Sequence, residues 1–407
     1  MPASSLKGDN TWIHKSFTLL AVRFGVNCAG RIRPNRLPVC LSGYNPHMGK
    51  RSTNAEPTTD RASGETLAVW EFAGLMLTYW CNARCAFCYV CSGPDRDGEM
   101  SVDDAIGHWS SLDRLAAAHG RSMRIHLAGG EPFHDWVQLV SILRAARDAR
   151  LSPVEKVETN AFWAADDGLT RSRLELLDAL GLGTLVISWD PYHAAYVPVE
   201  RVRRCVEIAR RVLGRGRVRV RWWEFLHDPV DVRRLDAKQR EDVFREALQR
   251  HKDRLTGRAA IELAHLCERH SAATFAGQHC VDAILRSRHV HIDPYGNIFP
   301  GTCGGIILGQ TGGGGLRTVE QVWQQFSSRW HENPVAQAVV AGGSYELLQR
   351  VRPLGYRELP GGYADKCHLC AHIRQFLVDC GIWPQAVGPP ACYGNEADRA
   401  AAIPPQS

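Results

Sequence analysis

The sequence predicts an α/β fold: a parallel sheet covered by helices, followed by a small α+β domain rich in cysteine. Three observations carry that expectation. From Val69 to Leu266 short apolar runs alternate with stretches of helical periodicity, the signature of strand–helix units rather than of hairpins. After about Cys267 the pattern changes to alternation on either side of a Pro-Tyr-Gly-Asn turn, which marks a hairpin. The cysteines, fourteen in all, fall mainly into two groups, one just beyond the first strand and one in the later part.

Residues 1–65 lack sustained periodicity and end in the polar, turn-rich "GKRSTNAEPTTDRASGE", so a poorly ordered arm and linker are expected. Met48 stands directly before that linker and is an alternative start of translation. The next region, 66–266, opens with "VWEFAGLMLTYW" as a strand and Val102 to His119 as a helix. "MRIHLAGG", "VEKVETN", "TLVISWD" and "VRVRWWEF" continue the strands, and Trp136 to Arg150, Thr170 to Leu180, Pro198 to Leu213 and Asp236 to Arg250 the helices. "AAIELAHL" is read as the sixth strand. Continuous Val/Ile/Leu runs between helices mean a parallel sheet, whose functional groups gather at the carboxyl ends of the strands. The third region, 267–390, holds the hairpin "HVHIDPYGNIFPGTC", the loop "GQTGGGGL", a helix from Thr318 to Ser327 and the pair "CHLC". It reads as too poor in regular structure to stand without a staple. A tail, 391–407, closes the chain.

Composition excludes several classes. With 44% hydrophobic and 23% charged residues, neither bulk disorder nor a fibrous repeat is indicated. A net charge of +6 over 407 residues does not argue for nucleic acid. Arg201, Arg203, Arg204, Arg210, Arg211, Arg215, Arg217, Arg219 and Arg221 make a locally basic stretch, read as a solvated helix face running into a strand, with steering of an anionic substrate as the alternative. No apolar run approaches the roughly 18 residues of a membrane span. "FTLLAV" is too short for a signal-peptide core. A cytoplasmic protein is expected, in which cysteines serve as metal ligands and buried fillers rather than disulfides.

Cys81, Cys85 and Cys88 have the spacing CxxxCxxC just beyond the first strand. Three thiolates can hold three irons of a [4Fe–4S] cluster and leave the fourth open to an outside ligand. A structural zinc prefers four protein ligands, and Cys91 is near enough in sequence to keep zinc as an alternative. The motif, with Phe87 directly before the third cysteine and "AGGEP" at the end of the second strand, resembles the radical S-adenosylmethionine enzyme superfamily. The resemblance covers Val69 to Leu266 and implies a partial (β/α)6 barrel of the TIM type. It further implies that the open iron takes the methionine part of S-adenosylmethionine beside Gly129, Gly130, Glu131 and Pro132. Asn160 of "ETN", and Ser188 and Asp190 of "SWD", end the next two strands, where the family contacts the carboxylate and ribose; ordinary turn chemistry is the competing reading. Tyr192 and His193 follow close behind, with His193 a weaker candidate acid or base.

In the third region Cys280, Cys303, Cys367 and Cys370 resemble the ligands of the SPASM extension or its shorter Twitch form, which implies one auxiliary [4Fe–4S] cluster. Full SPASM domains carry seven cysteines, more than this region offers. Cys267 and Cys380 compete as ligands, and zinc remains open because CxxC pairs suit it equally. Cys28, Cys40, Cys205 and Cys392 read as unligated. The family's chemistry implies reductive cleavage of S-adenosylmethionine to a 5′-deoxyadenosyl radical that takes a hydrogen atom from the substrate, with an external electron donor such as flavodoxin or ferredoxin. A peptide or protein substrate is the first expectation, to be oxidised, cross-linked or similarly matured. A small molecule in biosynthesis is the second, and a non-catalytic iron–sulfur or zinc protein the third.

Overall fold

The computed structural model describes residues 67–251, 254–312, 317–395 and 398. The predicted arm 1–65, with Cys28, Cys40 and Met48, lies outside the described residues, as does the tail beyond 398. Strands β1 (Phe72–Met76), β2 (Arg124–Ala128), β3 (Val154–Thr159), β4 (Thr184–Ser188) and β5 (Val218–Arg221) lie parallel and in sequence order. Their connections hold α1 (Val102–Ala118), α2 (Trp136–Asp148), α3 (Asp167–Ala179), α4 (Pro191–Ala194) and α5 (Val199–Val212). The first four of these helices begin on a side-chain cap, Ser101, Asp135, Asp166 and Asp190 in turn, each accepting from a backbone N–H of the first turn. Such a cap satisfies a donor that the helix leaves over, and its loss costs about 1 kcal/mol. The inward stripes of α1 and α2, including Trp109, Leu112, Leu139 and Ile142, are buried against the sheet.

The sixth parallel strand is not "AAIELAHL". After α6 (Trp223–His227) and α7 (Ala237–Arg250), that segment forms the short helix α8 (Arg258–Glu262) and a 3-10 turn, Ala264–Leu266. Ala259, Ala260, Leu263 and Ala264 are all buried, a helical rather than an alternating spacing. The sixth parallel strand is β6 (His289–Ile292), which pairs with the other side of β1. β7 (Asn297–Pro300) and β8 (Gly309–Gln310) follow it antiparallel, so the sheet runs β5-β4-β3-β2-β1-β6-β7-β8. The fold is thus α/β, with a partial parallel barrel. The hairpin turn is tied by Asp293, whose Oδ1 accepts from Tyr295 N at 3.0 Å and Asn297 N at 2.8 Å, while its Oδ2 accepts from Tyr79 Oη at 3.0 Å.

Regular structure after Cys267 is richer than the sequence reading allowed. It comprises α9 (Val281–Ile284), α10 (Val319–Arg329), α11 (Pro334–Ala341), α12 (Gly343–Val351) and α13 (Lys366–Asp379). Val335, Val339, Leu347, Leu348, Ile373 and Leu377 are buried at helical spacing, and supply a core that the sequence reading had not credited to this region. No helix among the described residues is long and apolar enough to cross a membrane.

Gly74, in the middle of β1, is paired in register with His126 of β2 on one side and His291 of β6 on the other. A Cβ there would stand 2.3 Å from His291 Cδ2 and 2.4 Å from His126 Nε2. The absent side chain is what lets rings from β2 and β6 meet across β1. Burial favours the neutral form of both rings and of their neighbour His289, which is pushed down to about 3. Gly74→Ala is therefore expected to lower unfolding stability by about 1–3 kcal/mol, the usual cost of overpacking, with urea denaturation as the measurement and an unchanged midpoint as the contrary result.

Candidate functional site

β1 ends at Met76, and the chain then enters the cysteine loop. Cys88 N donates to Cys85 O at 3.1 Å. Two of the sulfurs accept backbone hydrogen bonds, Cys81 Sγ from Ala83 N at 3.4 Å and Cys88 Sγ from Ser92 N at 3.2 Å. These bonds fix both sulfurs, and the one from Ala83 favours negative charge on Cys81. Burial acts the other way and pushes the Cys81 and Cys85 thiols up.

The loop is gripped from behind by Arg258, a fully buried guanidinium at the start of α8. It donates to Cys85 O at 3.0 Å, to Cys91 O at 2.9 Å, to Ser92 O at 2.9 Å and to Asp398 Oδ1 at 2.8 Å, while its backbone N–H reaches Cys88 O at 2.9 Å. Asp398 also takes Arg84 on Oδ1 and Arg96 on Oδ2. Burial acts against the charge of Arg258, but the Cys88 and Cys91 sulfurs and Asp398 outweigh it and raise its pKa.

The end of β2 lies directly on this loop. Gly129 has φ +139°, and a Cβ on Gly130 would stand 1.9 Å from Trp80 O, so both glycines are required by backbone contact with the first strand's extension. Gly130 N donates to Thr78 O at 2.6 Å and Glu131 N to Trp80 O at 2.9 Å. Glu131 itself is turned away from the cavity. Its carboxylate accepts from Phe133 N at 3.1 Å, Thr159 Oγ1 at 2.8 Å and Asn160 N at 2.8 Å, which bolts the end of β2 to the end of β3. Three protein donors thus occupy the carboxylate, which the resemblance had set beside the methionine part of the ligand. Burial pushes its pKa up to about 7 against those hydrogen bonds.

One cavity runs over these strand ends, lined by Cys81, Cys85, Phe87, Cys88, Gly129, Gly130, Pro132, Asn160, Ser188 and Asp190. Apart from Glu131, the cysteine-loop and strand-end candidates meet there. It is a partly open cleft holding about 130 Å³. Asn160 Nδ2 lies 2.9 Å from Asn82 Oδ1 and 3.7 Å from Cys81 Sγ. Asp190 caps α4 through Tyr192 N and His193 N, and its Oδ2 lies 2.8 Å from His193 Nδ1. His193 lines the cavity, whereas Tyr192 is buried beneath it, stacked on Phe87 at 5.3 Å. Cys91 is fully buried and does not line the cavity. Sequence reasoning missed Tyr89, Glu158, Thr159, Arg221 and Trp222 as lining residues. Glu158, Thr159 and Arg221 lie at strand ends, a signal that was available; Trp222, at φ 58°, takes a backbone conformation that alternation cannot forecast.

A second, smaller cavity is lined by Cys280, Cys303, Cys367 and Cys370, with Arg254, Lys366 and Arg374 around them. Cys280 caps α9, Cys303 follows β7, and Cys367 and Cys370 sit one turn apart at the start of α13. Cys267 and Cys380 do not line it, and Cys380 is exposed. Burial pushes Cys280 up to about 11. Among the described residues the side chains close enough to hold a single ion are three histidines, and neither cysteine group meets that condition.

No family model matches the chain. Over 134 residues it is 26% identical to "Putative peptide biosynthesis protein YydG" of Bacillus subtilis (strain 168), a match covering 32% of this chain. It spans 39% of the length of that curated relative. Among solved structures, "Native anSMEcpe with bound AdoMet and Cp18Cys peptide" has 12% identity and a TM-score of 0.37, covering 75% of this chain and 96% of that one. A polyhistidine-tagged form of anSMEcpe with bound AdoMet has 17% identity and a TM-score of 0.27, covering 37% of this chain and 41% of that one.

Two outcomes are expected of this architecture. Asp398→Asn leaves three guanidinium groups without their shared carboxylate and costs about 3–5 kcal/mol, as removal of one partner from a buried ion pair does. Hydrogen exchange should then quicken at the amides of Cys85 to Ser92, and unchanged urea stability with unchanged exchange would count against the clamp. Glu131 holds its proton to higher pH when folded, so its favourable contribution is complete below its ordinary value of 4.5 and is lost as pH rises through about 7. The stability deficit of Glu131→Gln relative to wild type should accordingly shrink between about pH 5 and pH 8, and a deficit independent of pH contradicts the assignment.

Proposed function

We propose that this chain is a radical S-adenosylmethionine enzyme that modifies a peptide. The observation that carries the reading is the delivery of three thiols, the Gly129–Gly130 backbone, Asn160, Ser188 and Asp190 to one cavity by four successive strand ends. The donor set fits a four-iron cluster with one open corner: three sulfurs border the cavity and, among its lining residues, there is no fourth. The second group, with four sulfurs at one cavity, suits a fully protein-ligated auxiliary [4Fe–4S] cluster. Arg254, Lys366 and Arg374 there offset the charge of four thiolates.

Bound in the first cavity, the cluster and S-adenosylmethionine would supply one-electron cleavage and removal of a substrate hydrogen atom, with the electron coming from an external donor of the flavodoxin or ferredoxin kind. The chain's own residues bind and orient. Gly129 and Gly130 present backbone without side-chain obstruction. The Asn160 amide is held by Asn82 on one side, and its Oδ1 by Phe162 N at 2.9 Å on the other. Asp190, fixed by two backbone N–H groups and His193, and the nearby Ser188 hydroxyl offer the acceptors that sugar hydroxyls need. Phe87, stacked on Tyr192 and edge-on to Trp222 at 6.0 Å, makes an apolar wall that excludes water. The peptide substrate rests on the name of the Bacillus subtilis relative.

Anaerobically reconstituted protein with a strong reductant is expected to form 5′-deoxyadenosine from S-adenosylmethionine and to hold about eight irons per chain. The Cys81→Ala/Cys85→Ala/Cys88→Ala variant should lose the product and about four irons. Full iron content or continued cleavage in that variant would sink the reading.

A further inference from the structure

Three histidines on two strands converge inside the barrel, and none of them lines either cysteine cavity. His126 of β2 and His291 of β6 flank Gly74, and His289 lies two residues before His291 on β6. One ligand nitrogen from each of the three lies within 4.8 Å of the others. His126 Nε2 and His289 Nε2 are 3.0 Å apart, and the His289 and His291 rings have centroids 4.6 Å apart. Phe72 stacks on His126 at 4.8 Å and holds that ring's plane.

The surroundings select which nitrogen is free. His126 Nδ1 is buried and faces Glu158 Oε1 at 3.3 Å. A proton on Nδ1 aimed at that carboxylate leaves the Nε2 lone pair toward the other two rings, the carboxylate–histidine arrangement that orients imidazole for metal. A single hydrogen bond between His126 and His289 would account for two of the three rings and leave the approach of His291 unused. Lys156, a neighbouring cation, is drawn off by Glu158 at 2.6 Å.

We propose that His126, His289 and His291 form a metal site, independent of the cysteine groups, that takes one divalent ion of the zinc type. Imidazole donors suit zinc and its first-row neighbours. Tetrahedral zinc with Zn–N of about 2.0–2.1 Å places nitrogens about 3.3 Å apart, so the site needs to contract from its widest spacing, which rotation of the half-buried His289 can supply. Three protein nitrogens leave a fourth position open. Glu158 also lines the cavity over the strand ends, so the orienting carboxylate connects the two sites.

The test uses the full chain with its iron–sulfur sites reconstituted, dialysed against zinc and then against metal-free buffer. Elemental analysis should find about one zinc per chain, with an X-ray absorption shell of nitrogen or oxygen at about 2.0–2.1 Å and no sulfur near 2.3 Å. His291→Asn should lose that zinc while iron content is unchanged. The more peripheral His289→Asn should weaken its retention at least tenfold, which keeps the test decisive if His291→Asn fails to fold. Absence of retained zinc, a sulfur shell, or full retention in both variants would overturn the site. Because the readout is zinc and its ligands, a failure here is distinct from a failure to cleave S-adenosylmethionine.

Discussion

The arrangement of the first cysteine group rests on one buried charge. Arg258 has no exposure, and its side chain spends its donors on three carbonyls of the cysteine loop and on Asp398. A guanidinium out of water is costly unless its donors are paired in good geometry, so the loop's carbonyl positions and the charge's burial are conditions for each other. The clamp joins residues separated by 140 positions or more, tying the cysteine loop to α8 and to the far end of the described chain.

The rest of the site follows from contacts between strand ends. Gly129 and Gly130 allow the end of β2 to lie against the cysteine loop at backbone distance, and Glu131 carries the connection on to β3. Residues that look like ligand binders in the sequence therefore divide into two kinds. Some line the cavity, and others, Glu131 above all, hold the lining in place.

Much of this was legible in the sequence. Strands β1 to β5 announce themselves as apolar runs ended by polar residues, and the helices between them by their apolar periodicity, because these signals are local. The spacing of Cys81, Cys85 and Cys88, and the grouping of Cys280, Cys303, Cys367 and Cys370, also lay in the order of residues. What escaped was non-local. "AAIELAHL" has the apolar content of a strand, but the buried contacts of Arg258 and its neighbours hold it as a helix, while the strand beside β1 comes from the hairpin. The helices α11 and α12 are short, eight and nine residues, and meet at Gly342–Gly343, so neither carries enough turns for its apolar spacing to stand out. The convergence of His126, His289 and His291 depends on β2 and β6 pairing in parallel with opposite sides of β1, which brings residues 163 positions apart together and which no short window reveals.

The sheet has an open margin at β5, which pairs with β4 on one side. An exposed strand margin invites edge-to-edge association with another chain, and charged side chains on a short strand are a common means of preventing it. β5 is four residues long and reads Val-Arg-Val-Arg, with Arg219 and Arg221 exposed. Arg219 and Arg221 put two positive charges on that short margin, and Arg221 also lines the cavity over the strand ends. A barrel left incomplete ends on a strand to which another chain could add, and charge on so short a strand works against that addition.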